Sequence, residues 1–143
     1  MDKLIIDRNY ECFCGNKTAF EFAASYILEH TSVQSADKLK VAIVSDRIVS
    51  GYYYNKFENQ FIIRDVKPVL IPVECVDNSK GLNSLDQIFK YPTDFDFGVN
   101  DWIIALGGGG ILDVTGFAVH MLQGGINFMI VPTTLNAMAD VTV

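Results

Sequence analysis

Apolar residues in this chain gather into short unbroken runs, separated by segments with a helical period. Residues 40–44 carry Val41, Ala42, Ile43 and Val44 and close on Ser45-Asp46. Residues 69–73 form a second run, interrupted by Pro72. Residues 102–106 end abruptly in four glycines, and residues 126–131 run into Pro132-Thr133-Thr134. Runs of this length and purity read as strands buried on both faces. Pro72 cannot donate to a ladder, so the second strand is short or ends there. The intervening segments read as helices. Thr18-Ala19-Phe20-Glu21 is a capping box, in which each end satisfies an N–H of the other. A helix from there to about His30 sets Phe20, Ala23, Ala24, Ile27 and Leu28 on one face. Residues 31–38 form a polar loop, 52–61 a helix, and 83–89 a short helix that Pro92 stops. Another helix follows the four glycines to about Leu122, where Gly124-Gly125 ends it.

Strands alternating with helices predict the α/β class: a Rossmann-like, doubly wound, mostly parallel sheet covered on both faces. The segments 40–44, 69–73, 102–106 and 126–131 are expected to be its parallel strands.

Composition narrows the function classes. The 143 residues amount to one domain, and half are apolar, enough for a core. No run approaches the roughly 18 apolar residues of a membrane helix, and the N-terminus lacks the basic-then-apolar order of a signal peptide. A net charge of −6 argues against nucleic acid or an anionic membrane as partner. Cys12 and Cys14 are too close-spaced for an easy disulfide, and Cys75 is distant. With His30 and His120 far apart, no zinc-ligand spacing emerges. Reduced thiols and a cytoplasmic protein are expected.

The strongest chemical signal is the stretch from Gly107 to Gly110. Adjacent glycines let a ligand approach the main chain, because no Cβ stands in the way. The turn opens onto a helix N-terminus, where unpaired N–H groups and the positive end of the macrodipole favour phosphate. A glycine turn can also serve only to pack a helix tightly on a sheet. Two familiar phosphate loops do not fit. No Lys-Ser or Lys-Thr follows the glycines, as a P-loop requires. Leu112 stands where the dinucleotide fingerprint needs its last glycine, and no acidic residue ends the following strand.

Ligands of parallel sheets bind beyond the carboxyl ends of the strands. Four segments are predicted there: Ser45-Asp46, the loop Asp77-Asn78-Ser79-Lys80, the glycine turn with Asp113, and Thr133-Thr134. Glycine N–H groups can take a pyrophosphate, and threonine hydroxyls can donate to phosphate or ribose. Carboxylates can accept from ribose hydroxyls, and Lys80 can balance phosphate charge. Each has an ordinary alternative: Asp46 and Asp77 as turn formers, Lys80 solvated, Asp113 stabilising its helix.

These residues resemble the 3-dehydroquinate synthase family and its sugar-phosphate cyclase relatives. That family carries G-G-G-V-x-G-D-x-x-G-F, then R-G-(I/V), then V-P-T-T-L, then D-S-S-(I/V)-G-G-K. Here the chain reads Gly107-Gly108-Gly109-Gly110-Ile111-Leu112-Asp113-Val114-Thr115-Gly116-Phe117, then Gly124-Gly125-Ile126, then Val131-Pro132-Thr133-Thr134-Leu135, then Asp140-Val141-Thr142-Val143. The interval from Asp113 to Thr133 matches without a gap. Ser45-Asp46 resembles the family's T-D, and Asp77-x-x-Lys80 its E-x-x-K.

The resemblance implies an NAD-binding domain over residues 1–143, the N-terminal domain of a two-domain enzyme of the shikimate pathway. Cofactor contacts would be Asp46, Asp77, Lys80, Gly108, Gly109, Gly110, Ile111, Asp113, Thr133 and Thr134, with Asp140 the catalytic candidate between cofactor and substrate. In the family, NAD oxidises a carbinol of a sugar phosphate, phosphate is eliminated, the ketone is reduced again and the ring closes. A divalent metal, Zn²⁺ or Co²⁺, is implied with a C-terminal domain, and a homodimer is implied for the parent protein. Three departures bear on substrate. Gly124 replaces the arginine expected to hold substrate phosphate, and glycine offers no charge-assisted bond. Asn136 and Met138 stand where Leu and Gln are usual, and Val141-Thr142 replace two serines. A cyclase with another substrate therefore fits equally well. A polyol dehydrogenase of the iron-dependent alcohol or glycerol dehydrogenase type, and a non-catalytic nucleotide-binding module, also remain open. Phe117 after Gly116 and the full Pro-Thr-Thr-Leu favour the lyase.

Overall fold

Every residue of two strands, β3 (Val41–Ser45) and β5 (Trp102–Gly107), is buried, which is why their sequences are apolar on both faces. They lie side by side in register, Val41 opposite Trp102 and Ser45 opposite Leu106, and run parallel. In the computed structural model, which describes residues 2–7, 10–14, 19–31, 39–74, 81–122 and 124–140, two further strands flank them. β4 (Val69–Pro72) pairs with β3, and β6 (Asn127–Pro132) pairs with β5, both parallel. The sheet order is β4-β3-β5-β6. All four expected strands are present and parallel. Pro72 ends β4 on the sheet's edge, the position where a missing donor is tolerated.

Helices cover both faces. Val41, Ile43, Trp102, Ile104 and Leu106 pack on α1 (Ala19–Glu29) and α2 (Arg47–Ile62), through Ala23, Ala24, Ile27, Phe57 and Phe61. The alternate residues Ala42, Val44 and Ile103, with Ile71 and Val73, pack on α3 (Gly81–Asp94) and α4 (Gly109–Met121), through Ile88, Ile111 and Ala118. A last short helix, α5 (Leu135–Asp140), buries Ala137 against Ala105 and Leu112. The chain is thus doubly wound, as the alternation of runs predicts.

Some boundaries differ from the sequence reading. α2 begins at Arg47 rather than near residue 52, because Asp46 caps it: one carboxylate oxygen accepts from the N–H groups of Ile48 and Val49, both at 2.8 Å. α3 runs through Pro92 to Asp94 instead of stopping before it. A proline in the final turn forfeits only one helical bond there. The turn is held by the Thr93 hydroxyl on Phe89 O (2.8 Å) and by Phe97 N on Pro92 O (2.9 Å). An N-terminal hairpin, β1 (Asp2–Asp7) with β2 (Tyr10–Cys14), forms a separate antiparallel pair that the run pattern did not announce. Phe13 seats it on α1, with ring centroids 4.5 Å from Phe22 and 5.2 Å from Tyr26. Thr18 of the capping box lies outside the described residues.

The amino edge of the sheet is tied by a buried carboxylate. Asp101 accepts from Lys40 N and Gly98 N, both at 2.9 Å, with Lys40 Nζ at 3.8 Å. On the α2 side, the Tyr54 hydroxyl donates to Glu58 (3.2 Å) and reaches Pro68 O (3.4 Å). Burial, followed by the Glu58 charge and hydrogen bond, pushes the Tyr54 hydroxyl up to about 12. The unfolded chain ionises this group first, near its ordinary value of about 10. Its contribution to stability is therefore complete below pH 10 and is lost as pH rises toward 12. Tyr54→Phe should flatten that alkaline loss in denaturant titrations between pH 9 and about 12. An unchanged pH profile would contradict this assignment.

Candidate functional site

Four parallel strands place four carboxyl ends on one edge of the sheet. These are Ser45-Asp46 after β3, Val73-Glu74 after β4, the glycine turn after β5, and Thr133-Thr134 after β6. From β3 the chain moves outward to β4; it then returns to the far side of β3 and moves outward again from β5 to β6. The direction of winding thus reverses between β3 and β5. At such a reversal the two connections leave on opposite faces, and a crevice opens between them. Asp46, entering α2, and Gly108, entering α4, are its two lips.

The glycine turn is gripped from both sides. The buried Ser45 hydroxyl donates to Leu106 O at 2.8 Å, and Thr133 N donates to Gly107 O at 2.9 Å. Gly107 has no room for a side chain, since a Cβ there would lie 2.8 Å from Ile111 Cβ. Gly108 is the N-cap of α4, extended at φ −82° and ψ 178°, and gives no side-chain cap. Its carbonyl accepts from Ile111 N (3.0 Å) and Leu112 N (3.2 Å), so helical bonding starts with those two residues. The N–H groups of Gly109 and Gly110 precede them and have no intrahelical acceptor. Gly110 is exposed and Gly109 half-buried, so both are within a ligand's reach.

Thr133 carries the most telling atom. Its hydroxyl oxygen is buried, and no hydrogen-bond partner meets it among the described residues. A buried hydroxyl without a partner costs about 1–3 kcal/mol, so such groups call for an explanation. Beside it, the Thr134 hydroxyl accepts from Ala137 N at 3.2 Å and caps α5. Thr134 Cγ2 lies 3.4 Å from where a Cβ on Gly108 would stand. Thr133, Thr134 and the glycine turn therefore form one continuous wall.

The other expected site residues divide. Asp113 is exposed in the second turn of α4. Ile111 is a core residue whose N–H is already bound to Gly108 O, so it holds the turn from beneath. Asp140 is the last residue of α5. Asp77 and Lys80 lie outside the described residues. Gly124 precedes β6, at the opposite end of that strand from Thr133; six extended residues put these ends about 20 Å apart. One chain does not bring position 124 to the glycine turn. Sequence reading missed two features: the strap made by Ser45, which needs the β3–β5 register to be seen, and α5, whose only signal is Thr134 ahead of helix-forming Leu135 and Ala137.

Chemically, the arrangement offers main-chain donors, hydroxyls and two carboxylates around a crevice. Among the described residues, no three His, Cys, Asp or Glu side chains gather to hold a metal. No helix of the described residues is long and apolar enough to cross a membrane.

Comparison with known proteins places these features. The family model for the 3-dehydroquinate synthase N-terminal region matches residues 70–143. A 3-dehydroquinate synthase of Hydrogenovibrio crunogenus is 39% identical over 104 residues, covering 73% of this chain and 28% of that protein. One from Prochlorococcus marinus is 33% identical over 106 residues, covering 74% and 29%. The chain thus spans under a third of these relatives' length. Among solved structures, 2-deoxy-scyllo-inosose synthase, complexed with carbaglucose-6-phosphate, NAD⁺ and Co²⁺, superposes with a TM-score of 0.74 at 21% identity. That match covers 98% of this chain and 36% of the other. The 2-epi-5-epi-valiolone synthase of Streptomyces hygroscopicus, with NAD⁺ and Zn²⁺ bound, gives 0.63 at 22% identity, covering 79% and 32%. At these identities the solved structures show the fold.

The turn's geometry separates its glycines. Gly107→Ala should destabilise the protein by about 1–3 kcal/mol, because the Ile111 side chain and the first turn of α4 must shift. Gly108→Ala meets only ordinary contacts and should change stability by less than about 1 kcal/mol. Equal unfolding midpoints for the two variants would refute this account of the turn.

Proposed function

The chain belongs to the 3-dehydroquinate synthase family, and from that membership we propose that residues 1–143 are the NAD-binding domain of a carbon–oxygen lyase of that kind. The observation that carries the reading is the buried, unpartnered Thr133 hydroxyl beside the uncapped start of α4, at the reversal of the sheet. A ligand that accepts from several donors at once satisfies both, and a pyrophosphate does so.

In this proposal the N–H groups of Gly108, Gly109 and Gly110 receive the pyrophosphate. The Thr133 hydroxyl donates to phosphate or ribose. Thr134 keeps a proton to donate while its oxygen accepts from Ala137 N. Asp46 spends one carboxylate oxygen on the cap of α2, which fixes the direction of the other; that oxygen accepts from a ribose hydroxyl. Asp77 and Lys80 serve ribose and phosphate on the β4 side. Asp113 stands over the pyrophosphate end of α4, and Ile111 seats the turn. Asp140, at the end of α5, stands between cofactor and substrate. When bound, NAD supplies reversible oxidation of a substrate carbinol.

We extend this to a longer enzyme, a reading that the relatives' greater length supports. The substrate is a small sugar phosphate, with a heptulosonate phosphate the first candidate. A Zn²⁺ or Co²⁺ ion in that longer enzyme would supply Lewis-acid chemistry at the substrate hydroxyl; no group of side chains that could hold it is found among the described residues. The enzyme works in the cytoplasm, as a homodimer. A polyol dehydrogenase has the weaker support, because the family model and the curated relatives both fall on the synthase side.

Three outcomes are expected. Residues 1–143 should bind NAD weakly by calorimetry, because a dinucleotide held against one wall buries less than one held between two. Gly109→Val should abolish that binding and leave the fold intact; unchanged affinity in a folded variant would refute the site. No phosphate should be released from heptulosonate phosphate by this chain with NAD and Zn²⁺ or Co²⁺ supplied. Steady phosphate production would place the catalytic groups inside these residues after all.

A further inference from the structure

The geometry points to Ser45 as a positioning residue for the glycine turn, and its effect on ligand affinity rests on the dinucleotide reading above. Ser45 is completely buried at the end of a strand whose other residues are Val, Ala, Ile and Val. A hydroxyl gains nothing from such a place unless it is hydrogen-bonded, and an alanine would fill it without needing a partner. The bond it makes is with Leu106 O, at 2.8 Å.

Ser45 and Leu106 face each other in register. In a parallel ladder the backbones of two facing residues are not bonded to each other; only one of the two bonds to the residues before and after its opposite number, and Ser45 turns its own carbonyl the other way, to Val73 N at 3.0 Å. The hydroxyl therefore adds a link that the ladder cannot supply. It does so at the reversal, where Asp46 turns into α2 and Gly107 turns toward α4 on the other face.

The carbonyl that Ser45 holds belongs to the peptide leading into Gly107. The next carbonyl, that of Gly107, is held from the opposite side by Thr133 N at 2.9 Å. Two successive peptides are thus fixed from two strands, one by a side chain and one by a main-chain donor. With both carbonyls engaged by neighbours, the following N–H groups keep one orientation. Glycine imposes no conformation of its own, so a run of four glycines needs such external holds to present donors in a fixed array. Ser45 supplies the hold on the β3 side, and Thr133 joins the same array to its unpartnered hydroxyl.

The test uses the whole chain and four variants: Ser45→Ala, Ser45→Cys, Ser45→Thr and Thr31→Ala. Thr31 is at the amino edge, where its hydroxyl donates to Ile27 O (2.6 Å) and accepts from Trp102 Nε1 (3.0 Å), so its loss controls for general weakening. Hydrogen exchange at the Thr133 amide and the affinity for NAD are measured in each. Ser45→Ala should accelerate Thr133 exchange and weaken NAD binding, each by about tenfold, the effect of one lost hydrogen bond. Ser45→Thr should restore both, and Thr31→Ala should lower the melting temperature while moving neither. Ser45→Cys keeps the volume with a weaker donor and gives the same reading if the alanine variant fails to fold. Unchanged Thr133 exchange in Ser45→Ala and Ser45→Cys overturns the inference, whatever NAD does. Equal changes in Thr31→Ala overturn it too. A native chain that ignores NAD while Thr133 exchange responds to Ser45 sinks the dinucleotide reading and supports the role of Ser45.

Discussion

Two neighbouring strands whose connections leave on opposite faces cannot continue their ladder past their last residues. β3 and β5 are such a pair, and the rest of the site follows from that constraint. Both strands are buried throughout, so their direction and register are set by the core. Where they part, the backbone groups beyond the ladder must find other partners or face a crevice. The chain meets this with a carboxylate on one lip, a serine across the floor and glycines on the other lip.

The glycine side is left partly unsatisfied. Gly108 brings no cap to α4, and the Thr133 hydroxyl is buried with no partner. Glycine at an N-cap falls short of a serine or aspartate by only about a few tenths of a kcal/mol, but it lacks the side-chain acceptor that Asp46 gives to α2. A buried hydroxyl without a partner, beside a helix start without a side-chain cap, marks a site shaped for something besides stability. The two exceptions adjoin each other, linked by the bond from Thr133 N to Gly107 O.

The interior strands were legible in the sequence because burial on both faces erases polar residues from them. Edge and boundary features were less so. The sequence pattern starts α2 five residues late because Ser45-Asp46 reads equally well as the close of a strand and as the start of a helix. Pro92 reads as a stop, yet in a last turn it costs a single bond, and the helix continues to Asp94. The hairpin eluded the pattern because Leu4-Ile5-Ile6 is an apolar triplet without alternation, and its anchor, Phe13, declares itself only by packing on α1. In the site, the glycines and threonines were visible as composition. The run pattern puts Ser45 at the carboxyl edge, but its bond to Leu106 depends on register, which a single sequence does not display. Gly124 stands where the family resemblance expects a substrate-phosphate arginine, and strand direction puts that position at the other edge of the sheet.

In the proposed function a dinucleotide is received where the winding of the sheet reverses. Amide resonances of the isotopically labelled chain, followed during titration with NAD, test it most directly. Shifts should concentrate at Asp46, Gly108, Gly109, Gly110, Thr133 and Thr134, with the amino-edge residues Lys40, Gly98 and Asp101 silent. Shifts that favour the amino edge, or a saturable response that leaves the glycine amides unmoved, would contradict it.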